Sequence, residues 1–378
     1  MSEVLLIYFD NAATGGFKPD SVVNAAAAAL KFCANPGRSG HRLSLASLER
    51  VYVCRKLLCD FLGGYSYERT VFTKNCTEAL NIALTGILKS GDKVVTTVAE
   101  HNSVLRPLEK LKEKGVRVTY APLKDGRIDS EEIIKLVTPD TRAVVVTLAS
   151  NVTGDAPDIG VLRAAIPEST LLICDGAQAC GHVNINMENL GIDALAVAGH
   201  KGLLGIQGGS ALLFSERVNP DPVLLGGTGS ESYKLEMPDF YPDRLESGTL
   251  CYPAIVSLGE GVMYLRENLS EHVEKVTAMT DYIIKKLSEI DGITLYSRPN
   301  PYGIVAFDMR SMQSEIAAFR LSDEYSICVR GGLQCAPLMH KALGSEGLIR
   351  ASVSAFNTRG ECERFVSAIR VLAVDKSL

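Results

Sequence analysis

Residues 330–344 read RGGLQCAPLMHKALG and place Cys335 between glycines and an Ala-Pro pair. A thiol in such a loop can act as a nucleophile once ionised, or serve as a small apolar side chain. Upstream, AVAGHKGLLGIQGG sets Lys201 beside His200, directly after an apolar run and inside a glycine-rich loop. Lys201 can be a surface lysine in a turn. It can also be a partly desolvated amine that sheds its proton and bonds a carbonyl carbon as a Schiff base. The flanking glycines, which let backbone approach a ligand closely, favour the second role.

LLICDGAQACGH puts Asp175 at the end of a strand, where open α/β sheets bind ligands. That carboxylate can cap the next helix, or it can pair with a protonated ring nitrogen. A lysine amine and an acid so disposed suit pyridoxal phosphate, whose ring stores electrons when its nitrogen has an acidic partner. Gln178, and Asn151 in LASNVTGD, can point donors at a ring oxygen. FTKNCTEALN reads as strand, turn and helix. A helix N-terminus there offers free N–H groups to a phosphate, with Thr77 adding a hydroxyl. Cys76 adjoins that site and otherwise reads as structural. In TTVAEHNSVLRP, His101 ends another strand and can stack on a planar ring.

These stretches need a scaffold. Over the first 215 residues, helical patterns (20–32, 44–62, 77–88, 101–114, 130–136) alternate with the strands RTVFT, KVVTTV, VRVTYA, AVVVTLAS, LLICD and ALAVAG. Short apolar strands separated by helices predict a mainly parallel sheet covered on both faces, an α/β fold. From residue 252 the pattern becomes α+β: helices at 254–268 and 272–290, strands near GITLYS and GIVAFDM, then a helix at 314–322. The expected division is a large domain at 16–250 and a small C-terminal domain at 251–378, with residues 1–15 packing near the latter. Residues 226–248 read as a long loop of the kind that carries function.

The chain has 378 residues, 46% hydrophobic and 22% charged, with a formal net charge of -5. That balance disfavours a nucleic-acid partner. No window approaches a membrane span, and the N-terminus does not resemble a secretory signal. The ten cysteines form no CxxC pair. Together these features predict a cytoplasmic protein with mostly free thiols and no metal site.

The motifs YFDNAAT, NPGRSGHR, NCTEALN, EHNSVLRP, SNVTG, DGAQ, GHKG, ESGT, RGGLQCAP and IRASVSAFNT occur in this order. In that order the chain resembles fold-type I pyridoxal-phosphate enzymes of the class V aminotransferase family, in the cysteine desulfurase and selenocysteine lyase branch. The resemblance implies that Lys201 bonds the cofactor, with His200 beside it. Asp175 pairs with the ring nitrogen, Gln178 and Asn151 address the ring oxygen, His101 stacks and Thr77 holds the phosphate. Thr249 of ESGT would reach the phosphate of a neighbouring subunit, making a homodimer. Arg350, together with Asn151, would bind the substrate carboxylate, a task that suits the arginine fork. Lys201, Cys335 and His101 are the candidate catalytic residues.

The implied reaction converts L-cysteine to L-alanine, leaving a persulfide on Cys335 for an acceptor protein in iron–sulfur or other thio-cofactor synthesis. Arg330 and His340, near in sequence, could assist Cys335. Two positions depart from the pattern: Ala198 stands where Ser or Thr is common, and Gln334 where His is frequent. The first removes a phosphate hydroxyl and the second puts a proton relay in doubt. The competing readings are a selenocysteine lyase, a cysteine or cystine lyase yielding pyruvate, an ordinary transaminase, and a non-catalytic pyridoxal-phosphate-binding scaffold. A nicotinamide dehydrogenase is excluded, because no strand is followed by GxGxxG.

Overall fold

The structure is a computed structural model and describes residues 6–375. In chain order the elements begin with β1 (Ile7–Tyr8), α1 (Asp20–Lys31) and α2 (Arg42–Phe61). There follow β2 (Thr70–Thr73), α3 (Cys76–Ile87), β3 (Lys93–Thr97), α4 (Asn102–Lys112), β4 (Arg117–Ala121) and α5 (Ser130–Ile134). Next come β5 (Thr141–Thr147), α6 (Ile159–Ala165), β6 (Leu171–Asp175), β7 (Ala194–Ala198) and β8 (Ser210–Phe214). The rest is α7 (Tyr252–Ser288), β9 (Ile293–Leu295), β10 (Ile304–Met309), α8 (Ser314–Tyr325), β11 (Ile327–Cys328), α9 (Pro337–Leu343), β12 (Ile349–Ser352) and α10 (Arg359–Val374).

A seven-stranded sheet of order β2-β8-β7-β6-β5-β3-β4 organises the molecule. Its pairs are parallel except those made by β8, which runs antiparallel to both β2 and β7. This is the expected mainly parallel α/β sheet. Every residue of β6, β7 and β8 is buried, as strands covered on both faces must be. The carboxyl ends of β3, β5, β6 and β7 lead into His101, Asn151, Asp175 and Lys201 respectively, so one edge of one sheet gathers four candidate residues.

The expected helices 254–268 and 272–290 are a single helix, α7, of 37 residues. The segment between them, Leu269–Ser270–Glu271, holds neither proline nor glycine, so nothing in it breaks the hydrogen-bond ladder. Two further sheets, β12-β10-β9 and β1-β11, lie in the C-terminal half. There, Phe9 packs edge-on against Phe365 at 5.6 Å, and Ile7 and Phe9 share a buried cluster with Val305, Phe307 and Ile327. The N-terminal segment is thereby tied to strands more than 300 residues away, and Asp10 bridges to Ser352.

Glu246 of the ESGT segment is buried, and both of its oxygens meet Arg55 of α2, at 2.6 and 2.9 Å. It also accepts from the Phe72 amide at 2.6 Å. Arg55 in turn donates to the Thr70 carbonyl and lies over the Phe72 ring. Removing one partner leaves the other as an uncompensated buried charge. Glu246→Ala is therefore expected to lower stability by about 3–5 kcal/mol, measured as a drop in the denaturant midpoint.

Candidate active site

The site forms where loops leave the sheet. α3 starts directly after β2, and the Asn75 side chain caps it by accepting from the Glu78 amide at 2.9 Å. The Cys76 and Thr77 amides have no partner among the described residues. Two free N–H groups at a helix N-terminus make a seat for a phosphate. Thr77 adds its hydroxyl, 2.7 Å from that of Ser103.

His101 is the N-cap of α4, and its Nδ1 accepts from the Ser103 amide at 3.1 Å. That bond places the ring proton on Nε2 in the neutral form. Burial holds the His101 pKa below its usual value, against the opposing pull of Asp175. Ser103 thus joins His101 to the start of α3, a link that the motif EHNSVLRP did not make apparent.

Asp175, at the end of β6, is 4% exposed. Its Oδ1 accepts from the Ala177 amide at 2.9 Å and from the Cys76 thiol at 3.6 Å, while Oδ2 makes no hydrogen bond among the described residues. Burial, then the Asp175 charge, pushes the Cys76 thiol well up, so this sulfur remains a donor. Gln178 donates to the Ala12 carbonyl at 3.0 Å.

Lys201 follows β7 in a turn that other segments hold down. The His200 carbonyl accepts from the Gly15 amide and from Lys18 Nζ at 3.0 Å, and His200 Nδ1 lies 3.0 Å from the Thr14 hydroxyl. A Cβ on Gly199 would stand 2.1 Å from the Gly209 carbonyl, so only glycine fits ahead of the His-Lys pair. The Lys201 amine has no hydrogen-bond partner among the described residues. Burial lowers its pKa, with Asp175 and Cys76 pulling the other way. His200 is pushed down to about 4 by burial and by the charges of Lys201 and Lys18.

Thr77, His101, Asn151, Asp175, Gln178 and Lys201 line one cleft. Cys76, Ala198 and His200 also border it. The donor set fits pyridoxal phosphate: an unpaired amine for the aldehyde, a carboxylate oxygen free for the ring nitrogen, a flat imidazole, and open amides for the phosphate.

Thr249 lies outside this cleft, in an exposed loop. Arg350, in β12, is 1% exposed. Its Nη1 donates to the Asn151 carbonyl at 2.8 Å and its Nη2 to Asp10 at 2.8 Å. Its Nε is buried without a partner among the described residues, an orphan donor that a carboxylate would satisfy. Asp10 is a further member of the site that the sequence motifs did not reveal.

Cys335 is exposed, and Arg330 Nη2 lies 3.9 Å from its sulfur. His340 does not reach that sulfur: it is buried, with Nε2 2.8 Å from Gln334 Oε1 and Nδ1 3.4 Å from the Ser345 hydroxyl. Of the two expected helpers, Arg330 alone contacts the thiol. Gln334 and Cys335 both adopt left-handed backbone, with φ of 43° and 59°. For residues with side chains this costs about 1–3 kcal/mol each and tends to mark functional loops.

Glu100, next to His101, is fully buried. Its Oε1 accepts from the Thr97 hydroxyl at 2.6 Å and from the Thr147 amide at 3.1 Å, and its Oε2 has no partner among the described residues. Burial raises its pKa from 4.5 to about 8, so the folded protein prefers the neutral acid. The unfolded chain releases this proton near 4.5 and the folded chain near 8. The contribution of Glu100 is therefore fully present below 4.5 and declines as pH rises towards 8. Glu100→Gln is expected to gain on the parent by ~1.4 kcal/mol per pH unit across that window, measured as the difference between two pH–stability curves.

The profile of the family described as Aminotransferase class-V matches residues 7–365. A protein of Methanothermobacter thermautotrophicus described as a probable cysteine desulfurase is 34% identical, over 97% of this chain and 94% of its own. A cysteine desulfurase of Pectobacterium carotovorum is 28% identical, over 97% and 92%. Among solved structures, apo cysteine desulfurase from Thermococcus onnurineus superposes with a TM-score of 0.88 at 30% identity, over 97% of this chain and 94% of that one. The cysteine desulfurase CsdA of Escherichia coli, in its S-sulfonic acid form, gives 0.85 at 26% identity, over 97% and 94%.

Proposed function

Because the chain belongs to the class-V aminotransferase family, whose cysteine desulfurase members depend on pyridoxal phosphate, we propose that it is a cysteine desulfurase converting L-cysteine to L-alanine. The observation that carries this reading is the pairing of an unpartnered, desolvated Lys201 beside Asp175 with an exposed Cys335 attended by Arg330. When bound, pyridoxal phosphate supplies an aldehyde for the amine and a conjugated ring that withdraws electrons from the substrate's α-carbon. Lys201 would hold the aldehyde, Asp175 the ring nitrogen, Gln178 the ring oxygen, His101 the ring face, and Thr77 with the Cys76 amide the phosphate.

The chain's own groups then divide the work. Arg350 takes the substrate carboxylate on its Nε edge, with Asn151 alongside. Lys201, once released, carries the α-proton, a task its depressed pKa suits. The Cys335 sulfur forms a bond to the substrate sulfur while the substrate's C–S bond breaks. The carbon keeps that electron pair and gains a proton. In sum, cysteine and one thiol become alanine and one persulfide, with no external oxidant.

The exposed position of Cys335 suits delivery of the sulfur to an acceptor protein in iron–sulfur or other thio-cofactor assembly, within the cytoplasm. Thr249 on its exposed loop, and the exposed apolar side chains Leu43, Leu45, Leu48 and Leu225, suit a homodimer in which Thr249 completes the neighbour's phosphate seat.

The test is product analysis with L-cysteine. Alanine and sulfane sulfur are expected in equal amounts. Pyruvate in place of alanine would make the protein a lyase, and absence of turnover would leave only a scaffold.

A further inference from the structure

Gln334, the residue before the nucleophile, is 3% exposed and does not line the cleft. Its Nε2 donates to the Leu348 carbonyl at 2.7 Å, two residues ahead of Arg350, and its Oε1 lies 2.8 Å from His340 Nε2 in α9. Its own carbonyl accepts from the Asn151 amide at 2.7 Å. The Cys335 carbonyl accepts from the Asn102 amide at 2.8 Å, at the start of α4. One side chain and two carbonyls therefore tie the cysteine loop to the carboxylate-binding strand, to the asparagine at the cofactor face, and to the helix that His101 caps. The loop needs such anchoring, because Gln334 and Cys335 both sit in left-handed backbone that relaxes once unclamped. Gln334 itself makes no hydrogen bond to the sulfur among the described residues.

We infer that Gln334, clamped between Leu348 and His340, is the positioning residue that sets the reach of the Cys335 sulfur relative to Arg350 and Asn151. The inference rests on the desulfurase reading. It makes a chain-specific departure into a geometric device in place of a proton relay: an amide that bonds on both sides holds a strained loop without taking up or releasing protons. Because its bonds run to the segment ahead of β12 and to α9, and not to Lys201 or Asp175, its loss falls on sulfur transfer and spares α-proton removal.

The experiment uses Gln334→Met, which keeps the volume and removes both side-chain bonds, with His340→Leu as a milder variant that removes only one. Three quantities are read on the cofactor-loaded proteins: alanine and persulfide in a single turnover, exchange of the cysteine α-hydrogen with deuterated water, and hydrogen exchange at the Asn102 amide. Sulfur transfer is expected to fall about 10²-fold in Gln334→Met, the scale set by a misplacement near 1 Å, and less in His340→Leu. Cysteine α-exchange is expected at the parent rate, and the Asn102 amide is expected to exchange faster. Unchanged sulfur transfer in both variants would overturn the inference. Equal loss of α-exchange and sulfur transfer would overturn it too, making Gln334 a general structural residue. If the parent protein forms no persulfide, the desulfurase reading fails, and the Asn102 amide still reports whether Gln334 holds the loop.

Discussion

Lys201→Ala is expected to lose turnover of L-cysteine by roughly 10²–10⁴-fold from loss of the proton-transferring base alone, and further from loss of the covalent anchor. The amine combines partial burial, absence of a hydrogen-bond partner among the described residues and a lowered pKa, next to a buried carboxylate. Lys201→Arg keeps a cation of similar length but cannot shed its proton, so it is expected to fail equally. The checks are initial rates of alanine formation and visible absorbance of the purified variants, which should lack the covalently held chromophore. A variant that retained both the colour and the rate would remove Lys201 from the mechanism.

Cys335→Ala is expected to lose alanine and persulfide formation from L-cysteine by about six orders of magnitude, the scale seen when a covalent nucleophile is removed. It should still bind cysteine and exchange its α-hydrogen, because Lys201, Asp175 and Arg350 are untouched. With L-selenocysteine the loss should be smaller, since selenium leaves more readily. Rates on the two substrates, set beside α-hydrogen exchange, separate a missing nucleophile from a damaged site. Loss of α-exchange together with sulfur transfer would mean that the loop, and not the sulfur, had been disturbed.

The part of this site legible in sequence is the part encoded locally. In a parallel sheet the carboxyl end of each strand points to the same edge, so His101, Asn151, Asp175 and Lys201, each placed after an apolar run, had to converge. The start of α3, proposed to seat a phosphate, was equally visible, because a helix N-terminus is a property of a few adjacent residues. What escaped was set by long-range contact. Asp10 meets Arg350 across 340 positions, and Asn151 meets Gln334 across 183, and neither pairing leaves a local pattern. Glu100 and Ser103 sat inside a recognised motif, yet their bonds to Thr147 and Thr77 depend on the tertiary fold. α7 was divided in sequence because a polar stretch over residues 268–272 resembles a helix start, whereas the packing of its flanks carries the helix through. β8 was missed because an antiparallel strand interrupts the strand–helix alternation. α10, with its capping box between Thr358 and Glu361, lay unread beyond the last motif.

The decisive measurement is peptide mass analysis of the protein after brief exposure to L-cysteine without reductant. One added sulfur atom on the peptide that contains Cys335, in proportion to the alanine released, is the expected result. Alanine released while Cys335 stays unmodified, or sulfur added to Cys76 or another thiol in its place, would contradict it.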